Sequence, residues 1–324
     1  MSYTAQFEGW DNLTQIDLIV AYRKAKADCF IEDGFPSAID FAEFEEDLLT
    51  NLDKLLEEWK EHNGPKSISS YLGHFRVVPK KLSSKPKENS KNGHTHFSNK
   101  KRAFKHFCGS NTIIPEFRIV GNFPVKTHIL SALWINMVGH KFDSCLNEGD
   151  VYGARLKRLK SNNKNIERPF NLTSVGSFKP YYQPYQQWRN NGLSAIRSEL
   201  ENKRAVVAVS LDLKSYYHTI DPSFLTSQDF QDTIGLDKDK KLSEDEQDFT
   251  KKIVKLLKNW GTNATKFAKG LTNTDTAIPG GLVIGLTVSR IISNVLLWKL
   301  DQLIREELTP VHYGRYVDDM LMIC

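Results

Sequence analysis

The run Arg315-Tyr316-Val317-Asp318-Asp319-Met320 constrains this chain more than any other segment. Two adjacent aspartates follow an aromatic residue, with Val311 and Tyr313 before them and Leu321, Met322 and Ile323 after. Short β-prone runs on both sides of a polar pair read as a tight β-hairpin with carboxylates at its tip. Such a tip holds acids in a fixed place and leaves them solvated, which suits a divalent cation. Most Asp-Asp pairs are ordinary solvated turns, so this one gains meaning only if a second acid stands in a matching setting.

That acid is Asp212. The run Ala205-Val206-Val207-Ala208-Val209-Ser210-Leu211 is short, β-branched and nearly continuous, the pattern of a strand buried on both faces. It leads into Asp212-Leu213-Lys214-Ser215-Tyr216-Tyr217. A carboxylate at the end of a core strand is costly unless a cation pairs with it. On neighbouring strands, Asp212 and Asp318 would bridge two Mg²⁺ ions about 3.5–4 Å apart, the arrangement used in nucleotidyl transfer. One ion activates a hydroxyl nucleophile and the other steadies the triphosphate and its pyrophosphate leaving group. Mg²⁺ keeps several waters, so two or three carboxylates suffice, and Mn²⁺ accepts the same oxygen ligands.

These segments resemble the reverse transcriptases. Tyr316-Val317-Asp318-Asp319 is similar to the family's palm-hairpin box, and Ser210-Leu211-Asp212 through Tyr217 to its first catalytic motif. Between them, Gly280-Gly281-Leu282-Val283-Ile284-Gly285-Leu286-Thr287-Val288-Ser289, followed by Asn294, Leu297 and Leu300-Asp301, is similar to its third box, a glycine-rich turn opening a helix. All three stand in the family's order, and the resemblance covers about Asn202 to Cys324 well. It implies an α+β right-hand polymerase with fingers and palm, using Mg²⁺ and dNTP to copy an RNA template into DNA. Asp212, Asp318 and Asp319 would be the metal and catalytic residues, with Asp318 ahead of Asp319 as the ligand shared with Asp212. Leu213, Tyr217, Gly281, Ile284 and Gly285 would form the nucleotide site, and Tyr316 and Val317 would face the primer terminus.

Tyr217 stands where the family places a bulky ring under the incoming sugar, which implies selection of dNTP over NTP. Tyr216 is expected to point to a different face. Many relatives carry Pro-Gln where this chain has Val283-Ile284, and isoleucine cannot hydrogen-bond a nucleotide. Apolar residues there, together with Gly149-Asp150-Val151-Tyr152-Gly153-Ala154-Arg155-Leu156, resemble the bacterial branch, above all abortive-infection and phage-defence enzymes related to retron and group II intron proteins. That branch implies a possible structured non-coding RNA, partner protein or homo-oligomer. Two other readings stay open: template-independent or protein-primed DNA synthesis on the same fold, and a catalytically silent nucleic-acid-binding or assembly module.

The 324 residues suffice for more than one subdomain. Residues 1–70 read as helical, 71–202 as a fingers-like region with a basic loop at 80–105, and 203–324 as the palm with an insert at about 221–263. Residues 127–165 read as helix, as does Thr287 to about Glu306. In the insert, Ser243-Glu244-Asp245-Glu246 reads as a capping box opening a helix through Trp260. In the fingers, Arg76 and Lys80 would contact the triphosphate, and the Lys-rich loop would contact a phosphate backbone. The family's thumb follows the hairpin, and only five residues follow Asp319, so a thumb is expected to be missing. The net charge is a modest +5. Cys29, Cys108, Cys145 and Cys324 are too scattered for a paired-ligand motif and suit free thiols in a reducing compartment. No run reaches membrane-spanning length, so a cytoplasmic protein is expected.

Overall fold

The computed structural model describes residues 6–31, 38–88, 98–159, 168–236, 240–272 and 281–324. It is a mixture of helices and small sheets, an α+β architecture. Two compact units emerge: Met1–His74 with Gly121–Cys324, and Phe75–Val120. This division differs from the expected one. Residues 121–202 belong with the amino-terminal helices and the carboxy-terminal sheet, because the Val125–Trp134 helix packs against Gln15–Ile31 and the Tyr182–Glu201 helix packs against the carboxy-terminal strands.

The smaller unit is a two-stranded ribbon of β1 (His74–Pro86) and β2 (Asn111–Asn122), joined through the helix Lys100–Ser110. Asn99 caps that helix, its side-chain oxygen accepting from the backbone N–H of Lys101 at 2.9 Å and Arg102 at 3.2 Å. The expected basic loop is thus partly strand and partly helix, and its centre, 89–97, lies outside the described residues.

In the larger unit, helices surround one antiparallel sheet in the order β3 (Ala208–Asp212), β5 (Asp319–Ile323), β4 (His312–Tyr316). The capping box forms as expected: the Ser243 N–H donates to Glu246 Oε2 at 2.9 Å, and the Glu246 N–H to Ser243 Oγ at 3.2 Å. Its helix, Glu244–Thr272, buries Phe249, Ile253, Leu256, Leu257 and Trp260 and outruns the expected end. The expected helix over 127–165 stops at Ser144. Beyond it the Asn147 side chain accepts the Gly149 N–H at 2.7 Å and turns the chain. Val151, Leu156 and Arg158 then make isolated β-bridges, and 160–167 lie outside the described residues.

The reading of β3 as a strand buried on both faces is corrected. β3 is a sheet edge, with Val207 61% and Leu211 47% exposed. A continuous β-branched run specifies a strand but not how many neighbours it acquires.

The sheet is pinned by Arg315. Its guanidinium is fully buried, and each of its five N–H donors has an acceptor. Nε donates to Asp301 Oδ1 at 2.9 Å and Nη2 to Asp301 Oδ2 at 2.7 Å, a bidentate pair. The remaining donors reach Asn294 Oδ1 at 3.0 Å, the Asn294 carbonyl at 3.1 Å and the Val317 carbonyl at 2.9 Å. Tyr313 donates to the same Asp301 at 2.6 Å, and Asn294 extends the network to the Gly153 carbonyl at 2.8 Å. Hairpin, the helices Val288–Leu296 and Trp298–Leu303, and the Asp150–Tyr152 segment are thereby tied together. Removing one partner of a buried, hydrogen-bonded pair strands the other charge. Arg315→Met should therefore cost about 3–5 kcal/mol in denaturant unfolding. A loss below about 1 kcal/mol, the scale of an exposed pair, would refute that role.

Candidate functional site at the hairpin

Register defines the site. Asp212 on β3 pairs with Asp319 on β5, and Asp319 pairs with Tyr316 on β4. The three side chains form one row and, as directly paired residues, share one face of the sheet. Burial and the facing Asp212 both hold the Asp319 carboxyl above its ordinary value. The register puts Asp319 directly across from Asp212, and Asp318, expected from the resemblance to share metal with Asp212, stands in the adjoining turn.

The turn is Val317-Asp318, between the paired Tyr316 and Asp319. Val317 has φ +60°, a left-handed conformation that a β-branched residue rarely adopts. The surroundings fix it from two sides. Arg315 holds its carbonyl, and Gly153 lies so close that a Cβ there would come within 2.9 Å of the Val317 nitrogen. Strain of this kind persists only where neighbouring packing imposes it, and it collects at functional sites.

The glycine-rich segment meets the other side of the site. Gly281 lies against the backbone of Tyr217 and His218, where a Cβ would fall 2.2 Å from the Tyr217 carbonyl oxygen. Leu282 donates its N–H to that same oxygen at 2.6 Å. Gly285 has φ +118°, a conformation open to glycine, and Gly280 lies outside the described residues. The Ile284 side chain is half-buried, and its carbonyl accepts the Gly121 N–H at 2.8 Å.

Tyr216 and Tyr217 occupy a helical turn, Tyr216–Thr219, rather than a strand. Tyr216 is buried and Tyr217 half-buried. Yet both hydroxyls converge on Ser293: that of Tyr216 donates to its carbonyl at 2.6 Å, and that of Tyr217 lies 3.1 Å from its Oγ. Adjacent helical residues diverge by about 100°, not the 180° of a strand, and that permits the convergence. Leu213, half-buried, turns the chain from β3 into this helix.

A cavity of about 320 Å³ opens beside these residues, lined by Tyr217, Arg290, Tyr316, Val317, Phe178 and Lys179 among others. The Arg290 guanidinium lies 5.0 Å from the centre of the Phe178 ring. Arg76 and Lys80 belong to the separate ribbon unit, where both are exposed.

Among the described residues no three His, Cys, Asp or Glu side chains gather into a ready-made metal cage. The acids that fit a cation are Asp212 and Asp319, whose mutual repulsion a cation would relieve, with Asp318 adjacent in the turn. Mg²⁺ is commonly held by one or two carboxylates together with waters and substrate phosphates. Arg315, Asn294, Asp301, Ser293 and Gly153 were not assigned roles from sequence. The available signals were Arg315 beside the aspartates, Asn294 and Asp301 downstream of the glycine-rich turn, and Gly153 in the 149–156 segment.

No protein-family model matches this chain, and no curated protein shows significant similarity to it.

A raised carboxylate weakens the fold when ionised. As pH rises from the ordinary 3.8 through the raised Asp319 value, the wild type loses stability that Asp319→Asn retains. Near pH 7 without metal, Asp319→Asn should equal or exceed the wild type by about 0.5 kcal/mol at most, because the site is largely solvated. Adding millimolar Mg²⁺ or Mn²⁺ should raise the wild-type Tm and leave that of Asp212→Asn/Asp319→Asn unmoved. Equal shifts in both proteins would remove the metal assignment.

Proposed function

We propose that this protein is an RNA-directed DNA polymerase acting by two-metal nucleotidyl transfer. The observation that carries the reading is the Asp212–Asp319–Tyr316 row, with Asp318 in a strained turn beside it and Tyr217 at the adjoining cavity. On this reading the larger unit contains a palm, and the Phe75–Val120 ribbon is a fingers element that carries Arg76 and Lys80. Resemblance of the apolar Val283-Ile284 and of the 149–156 segment to the bacterial branch of the reverse transcriptases supports an anti-phage defence role in the cytoplasm.

Asp212, Asp318 and Asp319 would hold Mg²⁺, with Mn²⁺ as a substitute. Bound there, the metal would lower the pKa of a primer 3′-hydroxyl and neutralise the triphosphate. The protein's own contribution is position. Arg315 and Gly153 hold the hairpin turn, so the carboxylates do not reorganise when the substrate arrives. The cavity takes the nucleotide, with Tyr217 beneath the sugar, where its ring would meet a ribose 2′-hydroxyl but admit deoxyribose. Arg290 supplies positive charge at the wall of that cavity. Tyr316 and Val317 bear on the primer terminus.

A second reading, DNA synthesis without a template or from a protein primer, draws on Ile284. Its side chain offers no hydrogen bond with which to check a base pair.

The test is incorporation of each labelled dNTP and NTP, with Mg²⁺, with and without a primed RNA template. Asp212→Asn and Asp318→Asn should each lower dNTP incorporation about 10²-fold or more while the protein stays folded. Tyr217→Ala should raise NTP use relative to dNTP. Product sequence that ignores the supplied template would favour the second reading. Binding of nucleic acid with no incorporation of any nucleotide would overturn both readings in favour of a silent binding module.

A further inference from the structure

The Asp212–Asp319–Tyr316 row continues off the sheet into an aromatic tract that the catalytic reading leaves unused. The Tyr316 ring meets the Tyr185 ring edge-on, with centroids 5.3 Å apart and planes at 87°. Trp188 stands 5.5 Å from Tyr185 and 6.3 Å from Tyr316, and its indole N–H donates to the Gly314 carbonyl at 2.9 Å. The Tyr316 hydroxyl donates to the Tyr181 carbonyl at 3.2 Å. From sheet to helix the aromatic surface is therefore continuous.

The helix that bears it, Tyr182–Glu201, has two distinct flanks. Pro184, Gly192 and Glu199 are buried, with Gly192 so close to Leu321 that a Cβ would sit 2.2 Å from its side chain. The neighbouring flank carries Tyr182, Tyr185 and Arg189 at three- and four-residue spacing, all exposed. Tyr181 is 66%, Tyr182 59% and Tyr185 43% exposed, unusual for three rings within five residues. Arg189, Arg197 and Lys203 are exposed along the same stretch, against one exposed acid, Glu201, while Arg204 is paired with Glu199 at 3.1 Å. Exposed rings interleaved with cations match a strand with stacking bases and a phosphate backbone, and mismatch a basic or purely apolar partner; an acidic partner would satisfy the cations but leave the rings without bases to stack on.

We propose that Tyr181, Tyr182, Tyr185 and Arg189 form a stacking platform that receives single-stranded nucleic acid and leads it to the Asp212–Asp319–Tyr316 row. The proposal deepens the polymerase reading by assigning the surface on which the strand lies. Stacking there is independent of sequence, because every base has a π-face.

Binding separates the two ideas, because it needs no chemistry. Fluorescein-labelled oligo(dT) and oligo(U) would be titrated with the full chain in EDTA and followed by anisotropy, for wild type, Tyr182→Ala/Tyr185→Ala and Asp318→Asn. The double variant removes only exposed side chains, and an unchanged Tm would verify its fold. Its Kd should rise about fivefold or more for at least one oligonucleotide, the low end of what one stacked base contributes. Asp318→Asn, which removes a negative charge near the proposed path of the strand, should bind at least as tightly as the wild type, whether or not the protein polymerises. An oligonucleotide carrying 5-iodouracil, irradiated in the complex, should cross-link within residues 181–189. A double variant within twofold of wild type for both oligonucleotides, with cross-links elsewhere, would overturn the proposal. So would a change in oligomeric mass by light scattering with unchanged oligonucleotide affinity, which would make the tract a contact between copies of the chain.

Discussion

The guanidinium of Arg315 is the point on which the sheet, the flanking helices and the acidic turn converge. A buried arginine is tolerated only when its charge is paired and its donors are filled. Here Asp301 supplies the charge and Asn294 and Val317 fill the rest, so one side chain fixes three separate pieces of chain. Asp301 comes from a helix and Arg315 from a strand, which locks the height of the hairpin against the helical layer. The Val317 carbonyl belongs to the strained turn itself. Core stability and the position of the acidic tip therefore depend on the same group.

The second constraint is close backbone approach. Gly153 lets one segment reach the turn, and Gly281 lets another reach the carbonyl of Tyr217. Both are positions where any side chain would force the backbone apart. Ser293 then gathers Tyr216 and Tyr217 from the far side. Among the described residues the site is thus backed by closely packed segments, the condition under which fixed dipoles and charges act without reorganisation.

Sequence reading located the acids, the hairpin and the capping box because each depends on neighbours a few residues away. It erred where the answer depended on distant partners. The apolar run before Asp212 forms a strand as expected but lies at an edge, since alternation and branching carry no record of neighbouring strands. The helix begun at Val125 ends before Cys145, where Asn147-Glu148-Gly149-Asp150 supplies a turn closed by the Asn147 side chain. Arg315, written between Gly314 and Tyr316, reads as a polar interruption of a strand; its partners lie 14 and 21 residues away in the chain.

The sequence by itself therefore determined the local pieces: a tight hairpin with two adjacent aspartates at its tip, a strand ending in a third, and a glycine-rich opening to a helix. Those are set by propensity, turn chemistry and short-range capping, which act over a handful of residues. Only the tertiary structure decided that Asp319 rather than Asp318 stands across from Asp212, because a shift of one residue in register exchanges the faces. It likewise decided that Tyr316 shares that face with the exposed tyrosines of the Tyr182–Glu201 helix, a juxtaposition made by packing between segments more than a hundred residues apart.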